Sequence, residues 1–184
     1  MKQQVRIIGG KFRGKKIDFP EAQGLRPTPD RVRETLFNWL MHDIRGARCL
    51  DAFAGSGALG FEAFSRGAAH VTLVEQNRLV FNHLLTVSRA FNAPELSVIH
   101  ADALAFLSTT RETFDLVFLD PPFAHACHEA CFTRLQASDC LPPGGLVYVE
   151  SPESLTLNPA AWQALKSKQA GHVFYALYKK MPSN

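Results

Sequence analysis

The stretch Phe114 to Phe123 reads FDLVFLDPPF, an apolar run that ends in the carboxylate of Asp120 and passes straight into Pro121, Pro122 and Phe123. The prolines fix the backbone behind the acid, which leaves a rigid shelf carrying a carboxylate and an aromatic ring. At the carboxyl end of a strand in an open parallel sheet, such a shelf stands where ligands bind. The competing interpretation is a tight turn after a strand. A second constellation lies upstream, where a short apolar run beginning at Arg48 ends in Asp51 and Gly55-Ser56-Gly57 then opens a helix. Strand, glycine turn and helix in that order bring backbone N–H groups and a positive helix end up to a ligand. Gly55, Gly57 and Gly60 also fit G-x-G-x-x-G, with Glu75 at 20 residues past the first glycine. A dinucleotide site is therefore one possibility, and a glycine turn that serves only tight strand–helix packing is another.

A third group, His125, Cys127, His128 and Cys131, has spacings that could bring two thiols and an imidazole together on one helix, as in a zinc site. There is no second pair at a fitting distance, and cysteine is a common small core residue, so no metal is expected.

These groups need a scaffold, and the chain supplies alternating strands and helices from Arg48 onward. Strands are expected near 48–52, 70–75, 96–100, 114–120 and 145–150, with helices near 57–66, 77–91, 102–108 and 126–137. That alternation argues for parallel βαβ units. Asn77 is suited to an N-cap and Gly67 to a C-cap. Upstream, Thr28 is expected to cap a helix whose first residue is Pro29 and whose apolar positions Val32, Leu36, Phe37 and Leu40 face the sheet, with Arg31 and Arg33 on other faces. Val5–Ile8 and Lys15–Phe19 read as a hairpin joined by Gly9 to Gly14. After Pro159 the pattern blurs, because Ala160–Lys166 holds good helix formers, whereas Val173–Tyr178 is a clear strand.

At 184 residues the chain suits a single domain, 1–184, with residues 1–28 as a hairpin-and-loop extension. No apolar run approaches the roughly 20 residues that span a bilayer, and the start has no secretory pattern. A cytoplasmic protein with its four cysteines as free thiols is expected. The net charge of +3 is unevenly spread, since residues 1–33 hold nine of the 20 Lys and Arg against three acids. An arm that meets a polyanion follows from that excess, and the bland alternative is a solvated hairpin. Phe12 among the cations suits unstacked bases, although an isolated ring more often packs back on the body.

Together, RIIGGKFRGKK (Arg6 to Lys16), GLRPTPDRVRETLFNWL (Gly24 to Leu40), DAFAGSGALGFEAFSRGA (Asp51 to Ala68), VEQ (Val74 to Gln76), DPPF and YVE (Tyr148 to Glu150) closely resemble the RsmD family of bacterial 16S rRNA guanine-N2 methyltransferases. That resemblance covers nearly the whole chain. It implies a Rossmann-like, seven-stranded, mostly parallel α/β sheet with an antiparallel last strand, helices on both faces and an N-terminal basic β-hairpin. It implies strands near 162–168 and 172–179, and S-adenosyl-L-methionine as cofactor. The cofactor would be held by the turn Asp51, Phe53, Gly55, Ser56 and Gly57, by Glu75 at the ribose and by Asp102 and Ala103 at the adenine. Asp120, Pro121, Pro122 and Phe123 would hold the methyl acceptor. Arg6, Lys11, Phe12, Arg13, Lys15, Lys16, Arg26, Arg31 and Arg33 would face 16S rRNA, alone or in a small-subunit particle, with the protein acting as a monomer. The nearest alternative is the same chemistry on another amino group, adenine N6 or a protein glutamine amide; an NAD-dependent oxidoreductase would use the same glycine turn but leave Asp120 to Phe123 without a purpose, and a non-catalytic RNA-binding module would leave both ligand motifs idle. A native-state ligand raises the melting temperature, so S-adenosylmethionine or its demethylated product should raise it and NAD should not. A shift with NAD alone in a thermal melt would overturn the methyltransferase reading.

Overall fold

The computed structural model describes residues 3–22, 25, 27–122 and 127–182; Arg26, Phe123 and His125 lie outside them. Its centre is a seven-stranded sheet built from β3 (Arg48–Asp51), β4 (His70–Glu75), β5 (Leu96–His100), β6 (Leu116–Leu119), β7 (Leu146–Ser151), β8 (Trp162–Ala170) and β9 (Val173–Lys180), in the order β5-β4-β3-β6-β7-β9-β8. The strands from β5 to β7 run parallel, and β9 is antiparallel to both of its neighbours. Helices α1 (Asp30–Trp39), α2 (Ala58–Ser65) and α3 (Arg78–Phe91) pack on one face, and α4 (Ala103–Thr109) and α5 (His128–Ala137) on the other. Because both faces are covered, the central strands are apolar throughout. Leu116 and Phe118 of β6 join the α1–α3 core, while Val117 and Leu119 join the α4–α5 core. The mostly parallel sheet and its antiparallel strand stand as the resemblance implied.

Strand pairing overrides local preference in Trp162–Ala170. Helix formers there adopt an exposed edge strand because β9, seated beside β7, offers its free side along the whole length. At its far end Lys180 is 5% exposed, and its ammonium donates to the carbonyls of Leu135, Ser138 and Leu141 at 2.6, 2.9 and 2.8 Å. It thereby satisfies carbonyls at and just beyond the end of α5 that would otherwise lack partners.

The start of α1 differs from the sequence expectation. Pro29 is the N-cap, with ψ at 146°, and Asp30 is the first helical residue. Thr28 does not cap: its hydroxyl donates to Asp120 instead, at 3.3 Å. Asp30 in the first turn complements the helix dipole in its place.

The hairpin of β1 (Gln3–Arg6) and β2 (Lys16–Phe19) would be marginal alone. It is held by burying Val5, Ile7, Ile17 and Phe19, and by donating the Lys11 and Phe12 N–H groups to the carbonyl and hydroxyl of Ser65, at 2.7 and 2.9 Å. Gly10 makes that approach possible: it has φ of 75°, and a Cβ there would lie 1.9 Å from the Ser65 carbonyl oxygen.

Arg33 corrects the expectation of an RNA-facing side chain. It is 1% exposed and bridges Glu62, itself fully buried, Asp30, the Arg6 carbonyl and the Thr28 carbonyl. Glu62 also accepts from the Ile8 N–H at 2.8 Å and from Arg66 at 2.6 Å. Breaking a buried pair costs about 3–5 kcal/mol; losing Arg33 would leave Glu62 to Arg66 and the Thr28 and Arg6 carbonyls without its N–H groups, which puts the cost at the lower end, about 3 kcal/mol. Arg33→Met should lower the unfolding free energy by that amount in urea, whereas Arg31→Met, on an exposed position of the same helix, should change it by less than about 0.5 kcal/mol.

Candidate active site

Four neighbouring strands, β4, β3, β6 and β7, carry an acid at or just after their carboxyl ends: Glu75, Asp51, Asp120 and Glu150. Strand alternation puts all four on the α1–α3 side, since Leu73, Cys49, Phe118 and Tyr148, two residues before each, belong to that core. Such a row of carboxylates is costly in the absence of positive charge and suits a cationic ligand.

Asp51 is 2% exposed and accepts the Gly60 N–H at 2.9 Å. Burial pushes its carboxyl up to about 7, and the charges of Glu75 and Glu150 add to the rise, against the opposing backbone hydrogen bonds from Gly60 and Phe53. The turn beyond it is set by Gly55 and Gly57, with φ of 50° and 76°, and Gly57 begins α2 in the left-handed region. A Cβ on Gly57 would lie 2.4 Å from the Phe61 ring. Gly60 serves packing instead, because a Cβ there would press on Leu73 and on the Asp51 carboxylate. Ser56 is buried in the turn, and Leu25 lies over Gly55, with its Cδ1 2.8 Å from where a Cβ would stand. Leu25 therefore covers the glycine turn.

Glu75 accepts the Gly55 N–H at 3.0 Å and the Asn77 N–H at 2.7 Å, which braces the turn and leaves lone pairs on both oxygens. Asn77 caps α3 as expected. Asp102 caps α4 through the Ala105 N–H at 2.9 Å, and Ala103 behind it is buried. On the acceptor side, Pro121 is buried and Pro122 exposed. Asp120 is raised well above the ordinary carboxylate range by burial first, then by the charges of Glu150 and Asp51, while the Thr28 hydroxyl opposes the rise. Glu150 is 3% exposed, accepts from the Tyr148 hydroxyl at 2.9 Å, and is also raised by burial. Its backbone carbonyl meets His128 Nε2 at 2.8 Å, which ties the start of α5 to the end of β7.

Sequence reasoning missed Thr28 and Glu150 as members of this site. The signal for Glu150 was present, since YVE ends its strand in an acid just as VE75 and LD120 do. Cys131 is buried and its thiol is raised by burial, as is that of Cys127. Among the described residues no group of three or more His, Cys, Asp or Glu is placed to hold a metal ion.

The basic residues divide into two sets. Arg6 and Arg31 are exposed near the start of α1, on the Asp120 side. Lys11, Arg13, Lys15 and Lys16 lie on or near the hairpin tip, which docks at the opposite end of α2. Phe12 packs back on the body, stacked on Phe64 with centroids 5.4 Å apart and edge-on to Phe91 at 4.9 Å. Lys15 sits over the Phe91 ring at 3.8 Å.

The sheet order with its antiparallel strand, the glycine turn and the row of acids define a class I S-adenosylmethionine-dependent methyltransferase. The residues fit that cofactor in charge: the acids at these strand ends lack the positive charge that its sulfonium and ammonium would bring. The chain belongs to the family described as Conserved hypothetical protein 95, which it matches over residues 5–179. It is 45% identical to the ribosomal RNA small subunit methyltransferase D of Escherichia coli strain K12, over 96% of this chain and 90% of that protein. A solved structure of a putative methyltransferase, yhhF, from Escherichia coli superposes with a TM-score of 0.90 at 45% identity, covering 98% of this chain and 100% of that one. A Thermus thermophilus 16S rRNA N2 G1207 methyltransferase in complex with AdoMet and guanosine superposes with a TM-score of 0.72 at 25% identity, covering 99% of this chain and 50% of that one.

A carboxyl raised to about 7 by burial would give a cationic ligand beside it a pH-dependent partner. The ionised form of Asp51 attracts a cation and the protonated form does not, so S-adenosylmethionine should bind more tightly as pH rises from 6 to 8. Asp51→Asn keeps the acceptor for Gly60 N–H and removes the charge, so its affinity should be weaker at pH 8 and nearly flat across that range. Calorimetric titration at several pH values measures both.

Proposed function

We propose that this protein transfers a methyl group from S-adenosylmethionine to the exocyclic N2 of a guanine in 16S rRNA. The observation that carries the reading is that the Asp51 turn and the Asp120 shelf stand on hydrogen-bonded neighbours, β3 and β6, with Asp51 opposite Phe118. On this reading the donor and acceptor subsites lie side by side at the carboxyl ends of adjacent strands. Support for guanine N2 comes from the Thermus relative, whose structure holds AdoMet and guanosine. The small-subunit rRNA follows the name of the Escherichia coli relative.

S-adenosylmethionine supplies a methyl group on a cationic sulfur that leaves as a neutral thioether. In this chain Asp51 and the Phe53 to Gly57 turn hold its amino acid part, Glu75 its ribose, and Asp102 with Ala103 its adenine. An amino nitrogen conjugated to a purine is a poor nucleophile because its lone pair is delocalised into the ring. Hydrogen bonds from its two N–H groups to the Asp120 carboxylate and the Pro121 carbonyl direct that lone pair toward the methyl, and Phe123 stacks on the extruded base. Rate then comes from placement and from electrostatics that strengthen as charge develops. Arg6 and Arg31 near the mouth, and Lys11, Arg13, Lys15 and Lys16 along the hairpin, take rRNA phosphates. The working unit is one domain, residues 1–184 with 1–28 as its extension, acting as a cytoplasmic monomer on rRNA or on a small-subunit particle.

Asp120 sits at the end of its strand and contributes little to packing, so Asp120→Ala should fold and bind S-adenosylmethionine. Its single-turnover methyl transfer should fall by about 10² to 10³. Asp120→Asn keeps an acceptor oxygen and should fall between Ala and wild type. Transfer by Asp120→Ala at the wild-type rate would remove the shelf from the active site.

A further inference from the structure

The parallel register of β6 and β7 pairs Leu119 with Val149, so the next residues on each strand, Asp120 and Glu150, stand side by side, about 4.8 Å apart at neighbouring strands. Both side chains point to the α1–α3 side, following Phe118 and Tyr148. The Thr28 hydroxyl donates to Asp120 at 3.3 Å. Tyr148 donates to Glu150 at 2.9 Å. Glu150 lies too deep to serve as a surface acid, and a buried carboxylate beside a second one is not a packing solution that an apolar sheet would favour.

We infer that Glu150 is a positioning residue for Asp120: its carboxylate, held by Tyr148, makes Asp120 the site that takes up the proton released from the methylated nitrogen. The proposal rests on the function given above. The lone pair of N2 forms the new N–C bond, and the C–S bond breaks with its pair going to sulfur. The N–H bond then gives its proton to Asp120, its pair returning to nitrogen. One negative charge at Asp120 and one positive charge at sulfur are thereby both discharged, and Glu150 stays ionised throughout.

The groups that face the pair support this assignment. Asp51 at the end of β3 and Glu75 at the end of β4 are acids, and Tyr175 of β9, opposite Glu150, is a neutral phenol. His128 of α5 is engaged with the Glu150 backbone. Arg33 reaches the carbonyl of Thr28 and is committed to Glu62 and Asp30. The Tyr148 hydroxyl favours the ionised form of Glu150, whose charge in turn raises Asp120. Two adjacent buried carboxylates do not both ionise freely, so beside a charged Glu150 an ionised Asp120 holds a proton more strongly than an isolated carboxylate, while the Thr28 hydroxyl opposes that rise.

The test is Glu150→Gln, which keeps the shape and the acceptor for Tyr148 but removes the charge. Asp120 must be ionised to accept from the amino group, so the rate falls on the acid side of its titration. Removing the neighbouring charge lowers the proton affinity of Asp120, and the acid limb of single-turnover transfer should move to lower pH by about one unit or more. Carbon-13 NMR titration of the Asp side chains in the ligand-free protein should show the same displacement, which separates the effect from cofactor loading. Tyr148→Phe should move both in the same direction by less. A uniform loss of rate with an unmoved acid limb and an unmoved Asp120 titration would leave Glu150 a structural residue and overturn the inference, while Asp120→Ala stays impaired. Full activity of Asp120→Ala would instead overturn the methyltransferase site itself. Should Glu150→Gln fail to fold, Tyr148→Phe gives the same two readouts.

Discussion

The Arg33–Glu62 ion pair is the joint on which the upper half of the molecule hangs. Glu62 is presented by α2 and Arg33 by α1, and between them they accept from the β1–β2 connection and donate to β1 and to the carbonyl of Thr28. A guanidinium can serve so many partners because it is planar and carries five donors in fixed directions. Neither charge has solvent to fall back on, so the partners must be supplied by the fold itself. The same residue whose carbonyl Arg33 holds sends its hydroxyl to Asp120. The placement of a basic hairpin and the orientation of a carboxylate at the sheet edge thus depend on one buried contact.

Much of this arrangement was legible in the chain. Gly55 and Gly57 announce a turn that only glycine adopts easily, and the structure gives both a positive φ. Asn77 and Gly67 mark helix ends because capping is a local matter of two or three residues. What escaped was non-local. Arg33 falls on a polar position of α1 when spacing alone is considered, and nothing nearby in sequence says that Glu62, 29 residues on, closes over it. Thr28 reads as a cap because its type and place are right, yet Asp120, 92 residues away, draws the hydroxyl off. Trp162–Ala170 has helix-forming composition, and its strand state is decided by β9, which follows it in the chain. Arg26 and Phe123 fall outside the described residues, so their expected places rest on sequence.

The row of acids shows how one repeated local rule builds a site. Each of four adjacent strands ends its apolar run with a carboxylate, and strand alternation aims them at one side. Burial raises Asp51, Asp120 and Glu150 together, so their charged forms are disfavoured in the protein alone, and a cation seated beside them would draw protons off the row.

The hairpin runs along α2. Its Ile8 N–H meets Glu62 in mid-helix and its tip meets Ser65 at the helix end. Eight residues of helix span about 12 Å, roughly three to four phosphate spacings of a single strand at 3.4 Å each. A polyanion that met both Arg31 and Lys15 would run along this flank, held through its backbone charge. On the proposed function, such a flank would set the distance over which a charged backbone is followed away from Asp120, whatever bases it carries.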